Sequence, residues 1–223
     1  SLSVEAGQAC YIPLKHITNE DQLDREETLE TLRPWLEDSQ AHKLGQNLKF
    51  DWHILANHGI TLRGIVHDTL LQSYVYESHR SHDMDSLAQR HLGIKTITFE
   101  EVCGKGASQI GFDQVDIATA TQYAAEDADI TLRLHQHLWP MIETDQQLSY
   151  VYQSIEIPTM LVLARMERNG ILIDSAKLAQ QGQVIGMRLL DLEKEIHTLA
   201  GQPFNIQSPK QIGEILFQVK NLP

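Results

Sequence analysis

Over the first 140 residues, apolar positions switch repeatedly between the short runs of a strand and the one-face spacing of a helix. Residues 2–13 hold Cys10-Tyr11-Ile12-Pro13, an extended piece that Pro13 ends or pushes to an edge. Further extended pieces are predicted near His42–Gln46 and at Gly64–Asp68. Helices are predicted between and after them. Residues 19–38 place Leu29, Leu32 and Leu36 on one face, with Pro34 expected to kink the helix or split it in two. Leu48–His58 is closed by Gly59, and another helix runs through Leu70, Leu71 and Tyr74. Residues 83–92 and 113–139 follow, the last expected to stop at Trp139-Pro140. Short strands alternating with helices predict an α/β layered domain.

Beyond Pro140 the pattern is helical throughout. A helix over 147–168 ends at Asn169-Gly170, and Ile171-Leu172-Ile173 is a short link. Asp174 then caps a long helix with a stripe of Leu189, Leu192, Ile196 and Leu199. Ser208-Pro209-Lys210-Gln211 reads as a capping box with proline at the first helical position. Glycines 104, 106 and 111 lack phosphate-loop spacing and mark a surface loop.

Composition narrows the class. With 223 residues, 42% hydrophobic and 22% charged, the chain can bury one large core or two modest ones and is not disordered. No apolar run reaches the ~18 residues of a membrane helix, and Ser1 opens without a secretory leader. Cys10 and Cys103 are too few for a disulfide framework or a cysteine zinc site, so a cytosolic setting is expected. The net charge is −12, with 21 acidic against 11 basic side chains in residues 1–140. That balance weighs against gripping duplex DNA by its phosphates. It suits carboxylates gathered for a metal, or, more commonly, a solvated acidic face. The chain starts without methionine and stops at Asn221-Leu222-Pro223, so both ends are expected to be cut.

Two aspartates break the helical pattern in the same way. Asp51 lies between Leu48 and Leu55 on the apolar face of its helix, and Tyr123, Asp127, Ile130 and Leu134 form one stripe. Glu126 and Asp129 fall on other faces and are expected to be solvated. Inward carboxylates need a partner or a cation. Hard cations such as Mg²⁺ or Mn²⁺ take oxygen ligands, and Tyr123 could orient an attacking water. On spacing alone a structural hydrogen bond or salt bridge for each aspartate is the commoner case. His82-Asp83 suggests a metal phosphohydrolase, but Asp83 as a helix N-cap is the simpler reading.

The segments Gly45-Gln46-Asn47-Leu48-Lys49-Phe50-Asp51 and Tyr123-Ala124-Ala125-Glu126-Asp127-Ala128-Asp129 resemble the second and third proofreading motifs of the bacterial DNA polymerase I family, family A. Ser81–Ala88, Lys95–Glu100 and Gly104-Lys105-Gly106 are similar to segments of the same exonuclease. Ile155-Glu156-Ile157-Pro158, Met166–Gly170 and Phe204–Gln211 resemble the opening of the polymerase domain and its thumb. The resemblance implies a ribonuclease-H-like 3′→5′ exonuclease domain over 1–145 and the start of an all-α thumb over 146–223. It implies two metal ions, with Asp51 and Asp127 as metal carboxylates and Tyr123 at the attacking water. Phe99 would stack on the terminal nucleotide and Asn47 would line the single-strand cleft. Asn205, Ser208 and Lys210 would meet primer–template duplex, where the exposed amides of a helix start also suit phosphate.

The same resemblance implies a monomeric, cytoplasmic, nucleoid-associated DNA polymerase with proofreading, acting in repair and replication. The family's first motif, an Asp-x-Glu pair on the opening strand, is expected to fall before Leu2–Pro13. The palm and fingers fall beyond Pro223. This chain by itself is therefore expected to lack polymerisation and to be a crippled or inactive exonuclease. The competing expectation is an exonuclease-like scaffold that has lost catalysis and only braces the polymerase on DNA.

Overall fold

A computed structural model describes residues 1–18 and 20–222, in two units that divide at Gly170. The first unit is mixed α/β and mostly helical. Strands β1 (Leu2–Glu5) and β2 (Gln8–Cys10) form an antiparallel hairpin, and β3 (Lys43–Gly45) and β4 (Ile65–Asp68) pair in parallel. Among the described residues these are two separate two-stranded sheets.

Helices α1 (Arg25–Glu37) and α2 (Leu48–Asn57) flank β3 in sequence, and α3 (Thr69–Glu77) follows β4 directly. Leu36, Leu48, Ile60 and Leu62 form their shared core, with Leu29, Leu32, Trp52 and Leu55 packed on it. Pro34 does not split α1, contrary to expectation. Arg33 beside it bonds Glu30 and the Gly59 carbonyl (2.7 Å), and Leu36 is buried one turn on. Contacts on both sides of the proline outweigh its missing N–H.

Helix α4 (Met84–Leu87) continues as a π turn to Leu92, and α5 (Phe99–Cys103) starts at a full capping box between Thr98 and Glu101. Asp83 caps α4 through the Ser86 N–H at 2.8 Å, the simpler of its two readings. Helix α6 spans Ile117–Glu143 and runs through Pro140 rather than stopping there. Leu138 and Ile142, both fully buried, hold the helix on either side of an exposed proline. Ile130 and Leu134 of α6 pack on Leu87 and Ala88.

Helix α7 (Gln146–Tyr150) leads through a π turn at Val151–Glu156 into α8 (Ile157–Asn169). The widened turn precedes Pro158, whose ring and missing N–H disturb the ladder there. The compact unit thus runs past residue 145. Tyr152 is fully buried in it, and its hydroxyl accepts the Asp68 N–H at 2.9 Å.

The second unit holds α9 (Ser175–Ala200) and α10 (Pro209–Gly213), which continues as a π turn to Val219. Asp174 caps α9 through Lys177 N at 2.9 Å, and Gly201 ends it in the left-handed region at φ 82°. Of the predicted stripe, Leu192 and Ile196 are partly buried, whereas Leu189 and Leu199 are 61% and 68% exposed. A one-face spacing shows which side can pack, and too few elements in this unit cover that side.

Tyr152→Phe leaves the buried Asp68 N–H without an acceptor. Urea unfolding is expected to show a loss of about 1–3 kcal/mol, whereas Tyr150→Phe, at an exposed position, should cost almost nothing.

Candidate functional site

Three elements carry the predicted exonuclease residues. Helix α6 carries Tyr123 and Asp127 one turn apart, α5 begins at Phe99, and α2 carries Asn47 at its start and Asp51 in its first turn. Phe99 is 42% exposed, with its ring centroid 6.4 Å from Tyr123 and 6.5 Å from Phe112. Tyr123 in turn packs 5.6 Å from Phe112, one helical turn before Asp127.

The two aspartates differ in setting. Asp127 is half buried, and its Oδ1 is inaccessible with no hydrogen-bond partner. Loss of solvent pushes its pKa up to about 7; Tyr123 opposes the rise, while Asp85 and Glu126 add to it by repulsion. Asp51 is exposed rather than inward, because the buried face of α2 is set by Leu48, Trp52 and Leu55. Its carboxyl is still pushed up to about 6, chiefly by surrounding protein, with Asp68 adding repulsion. Water reaching Asp51 screens that effect, so Asp127 is the better measure of the site.

Glu126 and Asp129 are not simply solvated. The Ile97 N–H donates to Glu126 at 2.6 Å, and the Gly7 N–H donates to Asp129 at 2.6 Å. They fasten the loop before α5 and the β1–β2 turn to α6, because backbone donors in a tight turn need acceptors that a helix interior cannot spare.

Beside Asn47 opens a groove of about 620 Å³, with Gln46, Tyr74, Arg80 and His82 in its wall. His82 stacks on Tyr74 at 3.7 Å and reaches Ser73 Oγ through Nδ1 at 2.5 Å. Asn205, Ser208 and Lys210 lie in the second unit. Ser208 Oγ accepts Gln211 N at 3.4 Å, but the Gln211 side chain takes the Asn205 N–H instead of closing the box. Asn205 Oδ1 accepts Gln207 N at 2.9 Å, and Lys210 is exposed.

Among the described residues, no three His, Cys, Asp or Glu side chains assemble into a metal site. Asp51 and Asp127 nevertheless fit a hard cation as oxygen donors, and the orphaned Asp127 Oδ1 is an acceptor that the protein leaves unused. Sequence reasoning missed Asp68, which is buried and accepts four backbone N–H groups. Its signal was present: an aspartate at the strand end, immediately before a helix. Asp85, which receives the Thr96 hydroxyl at 2.7 Å, was missed as well.

A sequence profile described as 3′-5′ exonuclease, of family-A DNA polymerases, matches residues 1–143. The chain is 49% identical to DNA polymerase I of Pseudomonas aeruginosa over its whole length, covering 25% of that protein. It is 41% identical to DNA polymerase I of Rhizobium leguminosarum, over 94% of the chain and 22% of the relative. The chain thus spans about a quarter of the length of these relatives. Among solved structures it is similar to the POL domain of Pol1 from M. smegmatis in complex with DNA primer-template and dNTP. There the TM-score is 0.67 at 27% identity, over 91% of this chain and 32% of that one. No described helix is long and apolar enough to cross a membrane.

An acid whose pKa is higher folded than unfolded holds its proton more tightly in the native state, so stability falls as pH rises between the two values. For Asp127 that window runs from the ordinary carboxyl range to about 7. Metal-free protein is expected to lose stability across it, and Asp127→Asn to flatten the slope. Thermal unfolding in chelator at about pH 5 and about pH 8 checks this. Added Mg²⁺ should raise the Tm at the higher pH for the native protein only.

Proposed function

The chain belongs to the bacterial DNA polymerase I family, with that family's 3′–5′ exonuclease domain at its start, and from this premise we propose that it trims the 3′ end of single-stranded DNA for proofreading. The observation that carries the reading is the Asp127 carboxylate, half buried with an unpartnered Oδ1, beside Tyr123 and Phe99. Such a group is costly to leave unpaired unless a cation or substrate completes it. Divalent metal use is general to this exonuclease family; we assign two ions, Mg²⁺ or Mn²⁺, to a site including Asp51 and Asp127. Bound there, they supply charge that lowers the pKa of water and stabilises the leaving oxygen.

The chain's own residues do the rest. Burial holds the Tyr123 phenol above its usual pKa, so it stays a neutral donor that can orient the attacking water. Water adds to the terminal phosphorus, the bond to the 3′ oxygen breaks, and a mononucleotide leaves. Phe99 offers an open ring face for the terminal base, and Asn47 lines the strand path. A mispaired end frays more readily and is captured more often.

The finer fold assignment is a ribonuclease-H-like sheet. The β1–β2 and β3–β4 pairs both contact α6 yet do not join each other. One strand between them, carrying an Asp-x-Glu pair, would complete sheet and metal site together. Residues 1–145 are assigned to the exonuclease and 146–223 to the start of the polymerase thumb. Asn205, Ser208 and Lys210 are assigned to primer–template duplex, and the whole protein to DNA-templated synthesis as a cytoplasmic, nucleoid-associated monomer.

The whole protein is expected to shorten a 5′-labelled single-stranded oligonucleotide only with Mg²⁺ or Mn²⁺, and Asp127→Ala to slow this by about 100-fold or more. Trimming that persists in the variant would sink the assignment of Asp127. No trimming by folded native protein would leave only the bracing role.

A further inference from the structure

An asparagine at a helix start ordinarily turns its side chain onto the first free N–H groups. Asn47 does not. It precedes α2 in the left-handed region (φ 60°, ψ 48°) and makes no side-chain cap bond. The cap comes instead from Asp68, 21 residues on at the end of β4. Asp68 Oδ2 accepts the Leu48 N–H at 2.8 Å, and its Oδ1 accepts the Asn47 N–H at 3.1 Å. The same Oδ1 accepts Leu70 N at 2.9 Å and Leu71 N at 3.4 Å, capping α3 as well.

Asp68 is itself held firmly. It is 1% exposed, its neighbour across the sheet is Gly45, and its N–H donates to Tyr152. Gln46, the other amide beside the groove, is occupied: its Nε2 donates to the His82 carbonyl at 3.0 Å and its Oε1 receives the Thr69 hydroxyl. Asn47 is thus the amide left over at the groove, with no side-chain hydrogen bond among the described residues.

We propose that Asp68 is the positioning residue of the exonuclease cleft: by capping α2 from β4 it releases the Asn47 amide for the single-stranded substrate and fixes the turn that carries Asp51. The proposal rests on the exonuclease reading above. A carboxylate suits the role because it offers acceptor sites for all four N–H groups, whereas an amide has one oxygen. Burial without those donors would be prohibitive for the charge.

The test is a double-mutant cycle on the whole protein, with a 5′-labelled single-stranded oligonucleotide and Mg²⁺. Asp68→Asn keeps the shape and halves the acceptors. It should raise KM and lower kcat together, with kcat/KM down by about 100-fold. Asn47→Gly, which removes the amide and keeps the left-handed backbone free of strain, should alone raise KM by about tenfold and leave the Tm nearly unchanged. In the Asp68→Asn background the Asn47→Gly change should leave KM nearly where it is, because that amide has already turned to the cap. Independent, multiplying effects on KM would overturn the proposal.

If Asp68→Asn fails to fold, Asn47→Gly decides alone. A Tm drop with unchanged KM means that Asn47 is an ordinary cap and overturns the proposal; a raised KM at constant Tm supports it. Amide exchange at Asn47 and Leu48 separates the two readings. Should native protein neither bind nor trim the oligonucleotide, the exonuclease reading fails and takes the substrate role of Asn47 with it. Faster exchange in Asp68→Asn would still support Asp68 as the cap of α2, and unchanged exchange would overturn it.

Discussion

Helix α6 is the constraint on which the first unit depends. Both two-stranded sheets, α3 and α4 rest against this one rod of 27 residues. Its middle and far end are apolar, with Ile130, Leu134, Leu138 and Ile142 all essentially buried. Its near end exchanges apolar teeth for polar ones. Asp129 and Glu126 take the backbone donors of the hairpin turn and of the loop before α5, and Tyr123 and Asp127 lie one turn apart on the same helix. One helical period thus sets the core and fastens the elements carrying Phe99 and β1.

Buried charge is handled in two opposite ways in the first unit. Asp68 is surrounded by four backbone donors and joins two helix starts to a strand end. Asp127 has an inaccessible oxygen with no donor, and the cost appears as a pKa of about 7. The satisfied carboxylate ties two helix starts together, whereas the Asp127 oxygen is left without a hydrogen-bond partner. Behind Asp68 the histidines follow the scaffold rule. His67 sits 4.3 Å from His135 and 4.5 Å from Trp139, and loss of solvent lowers its pKa to about 4, so it packs as a neutral ring.

Residues beyond the exonuclease match also shape the site. Tyr152 closes the back of β4, and α8 grips the helix that carries Asp51. Glu167 meets Lys49 at 2.5 Å and His53 at 2.9 Å, while Arg168 donates to Asn57 Oδ1 at 2.6 Å. The exposed pairs contribute little each. Their value is geometric, since they fix the roll of α2 at both ends.

Element order was legible in the residues themselves, because period and caps are local properties. Gly59, Gly170 and Gly201 end helices at positive φ, and Asp24, Asp83 and Asp174 start them. Asp127 on the stripe with Ile130 and Leu134 was legible for the same reason, and the motif segments identified the family. Pro34 and Pro140 misled, since whether a proline breaks a helix depends on what is packed on either side of it. Asp51 misled too: a face holding Leu48 and Leu55 is broad, and only the placement of Trp52 decides which edge meets water. The two sheets, the ties from Glu126 and Asp129, and the exchange of capping duty between Asn47 and Asp68 join residues 20 to 120 positions apart. The sequence by itself determined most of the helical stretches and which chemistry is present. Tertiary structure alone decided which carboxylate is satisfied and which is left open, because a donor's distance in space is written nowhere in its distance along the chain.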